Sequence, residues 1–176
     1  MTGEPVETLV SPYIAHETYP IEMAFRRDGI NVNWGFISER LKVLNTTYEF
    51  TLIESPSDLF SPITEEKMTF QWIQERFERV IWIIHPVPEQ FEHNLAEIHL
   101  LKTLDTDISL VMNNASDIRD QDLLFYIWEK IETFASQEIE GMVPFIKEEE
   151  RREVEMAKKI LSYLPNLVKS LISDIT

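Results

Sequence analysis

Short apolar runs of strand length alternate with longer amphipathic stretches along most of this chain, and this alternation limits the folds open to it. The apolar runs cover residues 49–53, 80–84, 108–112 and 142–146. Continuous apolar strands placed between helices are typical of a mostly parallel sheet that is buried on both faces. The sequence therefore predicts an α/β fold with three layers, in which helices cover both faces of a mostly parallel sheet.

Four stretches carry apolar residues at helical spacing. The first covers residues 62–79 and starts with Pro62, for which Ser61 would be the cap; the next two begin at Glu89 and Asp120. The fourth follows Pro144, and its apolar stripe consists of Val154, Ala157, Leu161 and Leu164. We expect the C-terminal segment, residues 147–175, to be helical.

The N-terminal region follows a different pattern. Residues 19–25 alternate in polarity as a strand does, Asp28 and Gly29 are typical of a turn, and residues 30–34 would form the returning strand. Residues 38–44 would form a short helix. This pattern predicts an antiparallel edge strand over residues 19–25, attached to the parallel sheet. Because no convincing linker interrupts the sequence, we expect a single domain over residues 1–176.

Composition and charge restrict the partners and the location. The 176 residues include 31 acidic and 16 basic ones, for a formal net charge of −15, and no cysteine. Such a charge repels phosphate backbones and anionic lipids, so we expect neither nucleic-acid nor membrane binding. No apolar run approaches the roughly 20 residues of a membrane span, and the N-terminal residues do not resemble a signal peptide. We therefore expect a cytoplasmic protein.

Two polar residues, Asn114 and Asp117, directly follow the third apolar run. Asparagine and aspartate are favoured at such positions as turn formers and helix caps, which is one interpretation of the pair. The alternative is that the pair is the remnant of a nucleotide-binding motif, an interpretation that rests on a resemblance. The residues alone leave both interpretations open.

The tetrapeptide from Asn114 to Asp117 resembles the Asn-Lys-x-Asp motif of Ras-like and dynamin-like GTPases, with alanine in place of lysine. In that superfamily the aspartate binds the guanine ring and the asparagine ties the loop together. Glu54 and the three residues after it resemble the Asp-x-x-Gly motif, and Thr18 matches the threonine of the first switch region. The resemblance thus implies that Asn114, Asp117, Thr18 and Glu54 are remnants of a nucleotide site.

One part of the GTPase pattern is missing. The chain has four glycines, and no Gly-x-x-x-x-Gly-Lys-Ser/Thr sequence includes any of them. That loop wraps the phosphates with backbone N–H groups and supplies a lysine to them. We therefore expect no nucleotide hydrolysis, no cofactor and no catalytic residue. Because His93 and Glu97 form an isolated i,i+4 pair, we expect them to make a surface contact and no metal site.

These observations favour a non-catalytic, pseudo-GTPase-like scaffold or protein-interaction module, with a protein partner or a second copy of the chain. One alternative is a subunit of a split nucleotide-binding enzyme that a partner chain completes. A third interpretation is an acidic decoy of a DNA-binding protein, since the chain carries a net charge of −15.

Overall fold

The computed structural model describes residues 11–16, 19–49, 51–55, 57–147 and 153–173. Two compact units make up the chain, Met1–Glu75 and Arg76–Thr176. All described strands belong to the second unit. Mixed helices and parallel strands confirm the α/β class that the sequence predicts. A single domain for the whole chain stays a prediction.

In the described part of the first unit, the regular elements are helices. They are α1 (Ile21–Arg27), α2 (Trp34–Thr47) and α3 (Thr69–Arg76), the last of which ends at the first residue of the second unit. Helix α2 begins at a capping residue, because the Asn33 side chain accepts a hydrogen bond from the Phe36 N–H at 3.1 Å. The predicted short helix over residues 38–44 lies within α2.

The prediction of an antiparallel strand over residues 19–25 is wrong, because helix α1 occupies most of this stretch. The Ala24 N–H donates to the Pro20 carbonyl at 3.0 Å, which is the i to i−4 hydrogen bond of a helix and not of a strand. Glu22 and Arg26 form an ion pair one helical turn apart at 3.6 Å. The predicted turn is present at Asp28 and Gly29, where Gly29 has a φ of 66°. The described residues 30–33 form no strand and lead into α2.

Two further predictions for this region need correction. The described residues 51–53 are not part of a strand, so the predicted strand over residues 49–53 is not formed there. The helix predicted over residues 62–79 is shorter, because Pro62 instead forms an antiparallel bridge with Met68. The buried Thr69 is fixed in this loop by its N–H, which donates to the Ser61 carbonyl at 3.0 Å. Helix α3 therefore starts only at Thr69.

The second unit alternates strands and helices. It contains β1 (Arg79–Ile84), α4 (Phe91–Leu101), β2 (Asp107–Asn113), α5 (Gln121–Ala135), β3 (Ile139–Val143), α6 (Glu153–Tyr163) and α7 (Pro165–Ser173), with a 3₁₀ turn at Pro88–Gln90 before α4. Helix α5 begins where the sequence predicts, because Asp120 accepts a hydrogen bond from the Leu123 N–H at 3.1 Å. None of the helices in the described part of the chain is long and apolar enough to cross a membrane.

The strands form a three-stranded parallel sheet in the order β1-β2-β3. The predicted strands over residues 80–84 and 108–112 are confirmed. The strand predicted over residues 142–146 begins three residues earlier and is β3. Pro144 has no N–H for strand pairing, and the Ile139 N–H at the start of β3 donates to Glu132 Oε1 at 2.9 Å. These two features account for the shift.

Helices α6 and α7 cover one face of this sheet. Val111, Val143, Ile146, Leu164 and Leu167 form a buried cluster there, and Ile81, Ile160, Tyr163 and Leu171 pack against it. The predicted stripe of α6 is only partly right, because Leu161 is exposed whereas Leu164 is buried. The other face of the sheet carries Ile84, Leu110 and Met112, all of which are fully buried. Both faces of the sheet are thus apolar.

Candidate functional site at the carboxyl edge of the sheet

The three parallel strands of the second unit end at the same edge, and the loops after them carry the candidate site. In open α/β sheets, ligands bind at this carboxyl edge. A cavity of about 330 Å³ lies there. It is lined by residues from the ends of the strands, from the loops after β2 and β3, and from α6 and α7: Ile81, Ile83, Val111, Asn113, Ala115, Val143, Pro144, Phe145, Ile146, Ile160, Leu164 and Leu167.

Asn114 organises the loop after β2 and is buried. Its backbone N–H donates to the carbonyl of Val143 at 2.9 Å, which connects this loop to the end of β3. Its side chain bonds to Ile118 twice: Oδ1 accepts from the Ile118 N–H at 2.9 Å, and Nδ2 donates to the Ile118 carbonyl at 2.8 Å. The amide of Asn114 therefore holds the loop closed, a contact consistent with either interpretation of the sequence.

Asp117 lies in the same loop, three residues on. Its φ of 53° places it in the left-handed region, and its N–H donates to the Asn114 carbonyl at 3.4 Å. Asp117 Oδ2 accepts hydrogen bonds from Arg119 Nη2 at 2.7 Å and Nε at 3.1 Å. These bonds to the carboxylate raise the pKa of the Arg119 guanidinium above its ordinary value. The Asp117 carboxylate therefore already has a cationic partner within the chain.

The other two candidate residues do not belong to this loop. Glu54 is exposed and belongs to the first unit, in a stretch without helix or strand. Thr18 lies outside the described residues. Of the four predicted site residues, the structure brings Asn114 and Asp117 together in one loop.

Two features of the second unit were not foreseen from the sequence. Asn94 in α4 is buried, and its Nδ2 donates to the His85 carbonyl at 3.1 Å just after β1. The sequence predicts Glu97 on the surface with His93, but Glu97 is buried, and its Oε1 lies 3.3 Å from His93 Nε2. A helical wheel places Asn94 and Glu97 one turn apart, beside Ile98 and Leu101, and this is the signal that could have identified them as buried.

The cavity at the carboxyl edge is suited to apolar groups. Asn113 supplies the one amide among the twelve lining side chains, and the rest are aliphatic, aromatic or proline. Ile83 and Phe145 line it and are also partly exposed, so they are accessible to a partner. Phosphate recognition uses backbone N–H groups of a glycine-rich loop and a lysine, and none of the lining residues is glycine or lysine. An apolar side chain or similar group matches these walls better than a nucleotide does.

Within the described residues, no group of three or more histidine, aspartate or glutamate side chains is placed to hold a metal ion. Comparison with models of known protein families finds no family model that matches the chain.

Proposed function

We propose that this chain is a non-catalytic protein-interaction module, a pseudo-GTPase-like scaffold whose binding edge receives apolar groups of a protein partner. A cytoplasmic location is part of the proposal and rests on the sequence. A three-layer arrangement of the second unit is also part of the proposal, with α4 and α5 on the sheet face opposite α6 and α7. It follows from the right-handed crossovers that connect neighbouring parallel strands, because both crossovers then lie on the same face.

The observation that carries the proposal is the apolar lining of the cavity beside the loop of Asn114 and Asp117. At this edge a nucleotide-binding protein needs groups that hold phosphate and base. Here the Asn114 amide is used by Ile118 and the Asp117 carboxylate by Arg119. Base binding by Asp117 would compete with its charge-assisted bonds to Arg119, which are 2.7 and 3.1 Å long. The loop is thus stabilised without a ligand.

Calorimetry with GTP and ATP in the presence of magnesium tests the first half of the proposal. We expect no binding tighter than about 1 mM, because phosphate contacts supply most of the positioning in this superfamily. A submicromolar dissociation constant for the chain alone would contradict the proposal. Nucleotide binding that arises only after a second chain is added would instead favour the split enzyme.

The uncharged fluorophore Nile red tests the second half, because it reports on apolar cavities. We expect Nile red to bind the intact chain, and Ala115→Leu to weaken binding about tenfold by filling part of the cavity with added methylene groups. Ser116→Leu is the matched control, since it adds the same side chain one residue away at a position outside the cavity lining. Equal dye binding by both variants would rule out the cavity as the apolar site.

A further inference from the structure

Helix α5 has a second apolar surface besides the one it buries. Its core side consists of Leu124, Ile127, Ile131 and Ala135. Its solvent side carries three aromatic rings, two carboxylates and a threonine, all of them exposed and here called the aromatic-acidic face: Asp122, Phe125, Tyr126, Glu129, Thr133 and Phe134. A surface helix ordinarily has one apolar side, so this composition requires a separate explanation.

The aromatic rings of this face are unusually accessible. Phe125 is 71% exposed, Phe134 58% and Tyr126 53%. The Tyr126 ring is fixed from two sides: its centroid lies 6.4 Å from that of Phe91 on α4 and 5.7 Å from Lys130 Nζ. Large exposed rings clustered on one helix are typical of protein-binding surfaces, in which a few residues, often aromatic, carry most of the binding energy.

The two acidic residues of the face lie along one line of the helix. Asp122 and Glu129 are seven residues apart, which is two turns or about 10 Å at 1.5 Å per residue, and Thr133 continues the line by one more turn. A rotation of roughly 100° per residue places Phe125 on one side of this line, and Tyr126 and Phe134 on the other. Carboxylates therefore occupy the middle of the face, with aromatic rings on both flanks.

The Glu129 carboxylate has a neighbour of opposite charge but stays accessible. Its Oε1 lies 3.0 Å from Lys130 Nζ, and the Glu129 side chain is 69% exposed. A pair of this kind between adjacent surface residues is weak, because water and salt screen it. Glu129 can therefore still accept hydrogen bonds from a cation that a partner supplies.

We propose that the aromatic-acidic face docks a basic amphipathic helix of a partner protein. Lysine or arginine side chains along such a helix would pair with Asp122 and Glu129, and its apolar side chains would contact the flanking rings. A second copy of this chain fits poorly, because it would place the acidic line against an identical one. The inference rests on the proposed function only in treating the chain as an interaction module, and it uses a surface other than the cavity.

The test uses two synthetic peptides of about 18 residues, a length near which isolated helices form. One has lysines in a single helical stripe flanked by leucines, and the other has the same composition in scrambled order. We expect the first peptide to shift backbone amide NMR signals of residues 121–135 and to bind at least tenfold more tightly than the second. Binding should weaken with added salt, as screening predicts. Equal binding of both peptides would overturn the proposal, because charge alone would then explain it.

Variants locate the site. Phe125→Ser with Phe134→Ser should weaken binding of the amphipathic peptide about tenfold or more, whereas Leu161→Ser, which removes a 51% exposed leucine from α6, should leave it unchanged. Glu129→Lys should likewise weaken binding, with Asp105→Lys as the control at an exposed loop position of the same unit. The charge variants keep the test valid if the serine variants do not fold. Full affinity in Glu129→Lys, or in folded serine variants, would overturn the proposal.

Light scattering on the intact chain separates the remaining outcomes. An oligomer that dissociates in the Phe125→Ser, Phe134→Ser variant would identify a second copy as the occupant and overturn the basic partner. Failure of the proposed function would be seen separately, in the calorimetry with nucleotides, and would leave the peptide result unaffected.

Discussion

Asn114 and Ile118 are joined by two hydrogen bonds between one side-chain amide and both backbone groups of one residue. The Ile118 N–H donates to Asn114 Oδ1 at 2.9 Å, and Asn114 Nδ2 donates to the Ile118 carbonyl at 2.8 Å. Because Asn114 is buried, water cannot readily replace either bond. The loop after β2 therefore depends on this one amide.

Asn114→Ala should lower the free energy of unfolding by about 2 kcal/mol. It removes both side-chain hydrogen bonds and leaves the N–H and the carbonyl of Ile118 without these partners. Asn114→Asp keeps an acceptor for the Ile118 N–H but loses the donor, so we expect instability there too. Urea denaturation followed by circular dichroism measures both variants. Asn166→Ala, at an exposed position of α7, is the control and should change stability by less than about 0.5 kcal/mol. A stable Asn114→Ala variant would show that the loop closes by other means.

Gly141 in β3 leaves room for the junction between α6 and α7. A Cβ atom at this position would collide with the carbonyl oxygen of Tyr163 and would lie 3.0 Å from Leu164 Cδ2. Gly141→Ala should therefore push the junction away from the sheet and cost about 2 kcal/mol of stability, as overpacking does. Thermal unfolding checks this. Gly35→Ala serves for comparison, because its nearest contact is the capping Oδ1 of Asn33 at 3.2 Å and not a backbone atom, and its Tm should fall less than that of Gly141→Ala.

Helices α6 and α7, which follow Lys147 in the chain, cover an apolar face of the sheet. Leu164 and Leu167 pack into the cluster with Val111, Val143 and Ile146. We expect a chain that ends before Glu148 to be insoluble or strongly self-associating, because large exposed apolar surfaces promote association. The intact chain should be a soluble oligomer or part of a complex. Light scattering compares the two, and a truncated chain that stays monomeric and unfolds cooperatively would contradict the prediction.

A double variant tests the same cover without truncation. Leu164→Ser with Leu167→Ser should increase self-association, whereas Leu161→Ser removes an exposed leucine and should not.

Asp28 makes the first unit sensitive to acid. Its Oδ2 accepts a hydrogen bond from the His16 backbone N–H at 2.8 Å and lies 3.2 Å from His16 Nδ1. The backbone bond is the largest cause that lowers the pKa of Asp28, with the His16 side chain adding to it and burial opposing it. Because the folded-state pKa is depressed, the stabilising contribution is present above the unfolded-state pKa and is lost as the pH falls through the folded one. The pH range in which Asp28 loses its stabilising contribution thus lies below about pH 4.

Carbon-detected NMR titration of the Asp28 carboxyl should give a pKa below its ordinary value. Asp28→Asn should lose less stability between neutral pH and about pH 3 than the parent does. Asp58→Asn, an exposed aspartate of the same unit, serves for comparison. A midpoint for Asp28 at or above the ordinary value would refute the prediction.

Local sequence patterns were sufficient for β1, β2, α4 and α5. The two strands are continuous apolar runs of strand length, the two helices have a strong apolar period, and Asp120 marks the start of α5 by a contact with Leu123, only three residues away. Pattern reasoning failed for α1, because seven residues are too few to separate the helical period from the strand period. The hydrogen bond from the Ala24 N–H to the Pro20 carbonyl, which identifies the helix, is seen only in the structure.

The sequence by itself determined the charge, the absence of a glycine-rich phosphate loop and the order of strands and helices in the second unit, since these follow from residue type and local spacing. Only the tertiary structure decided how Asn114 and Asp117 are used. Their pattern fits a cap as well as a nucleotide site, and the bond from the Asn114 N–H to Val143 joins residues that are far apart in sequence. Likewise, the apolar cavity and the fit of Gly141 against Tyr163 arise where separate elements meet. Such contacts depend on packing between distant residues, which local periodicity does not specify.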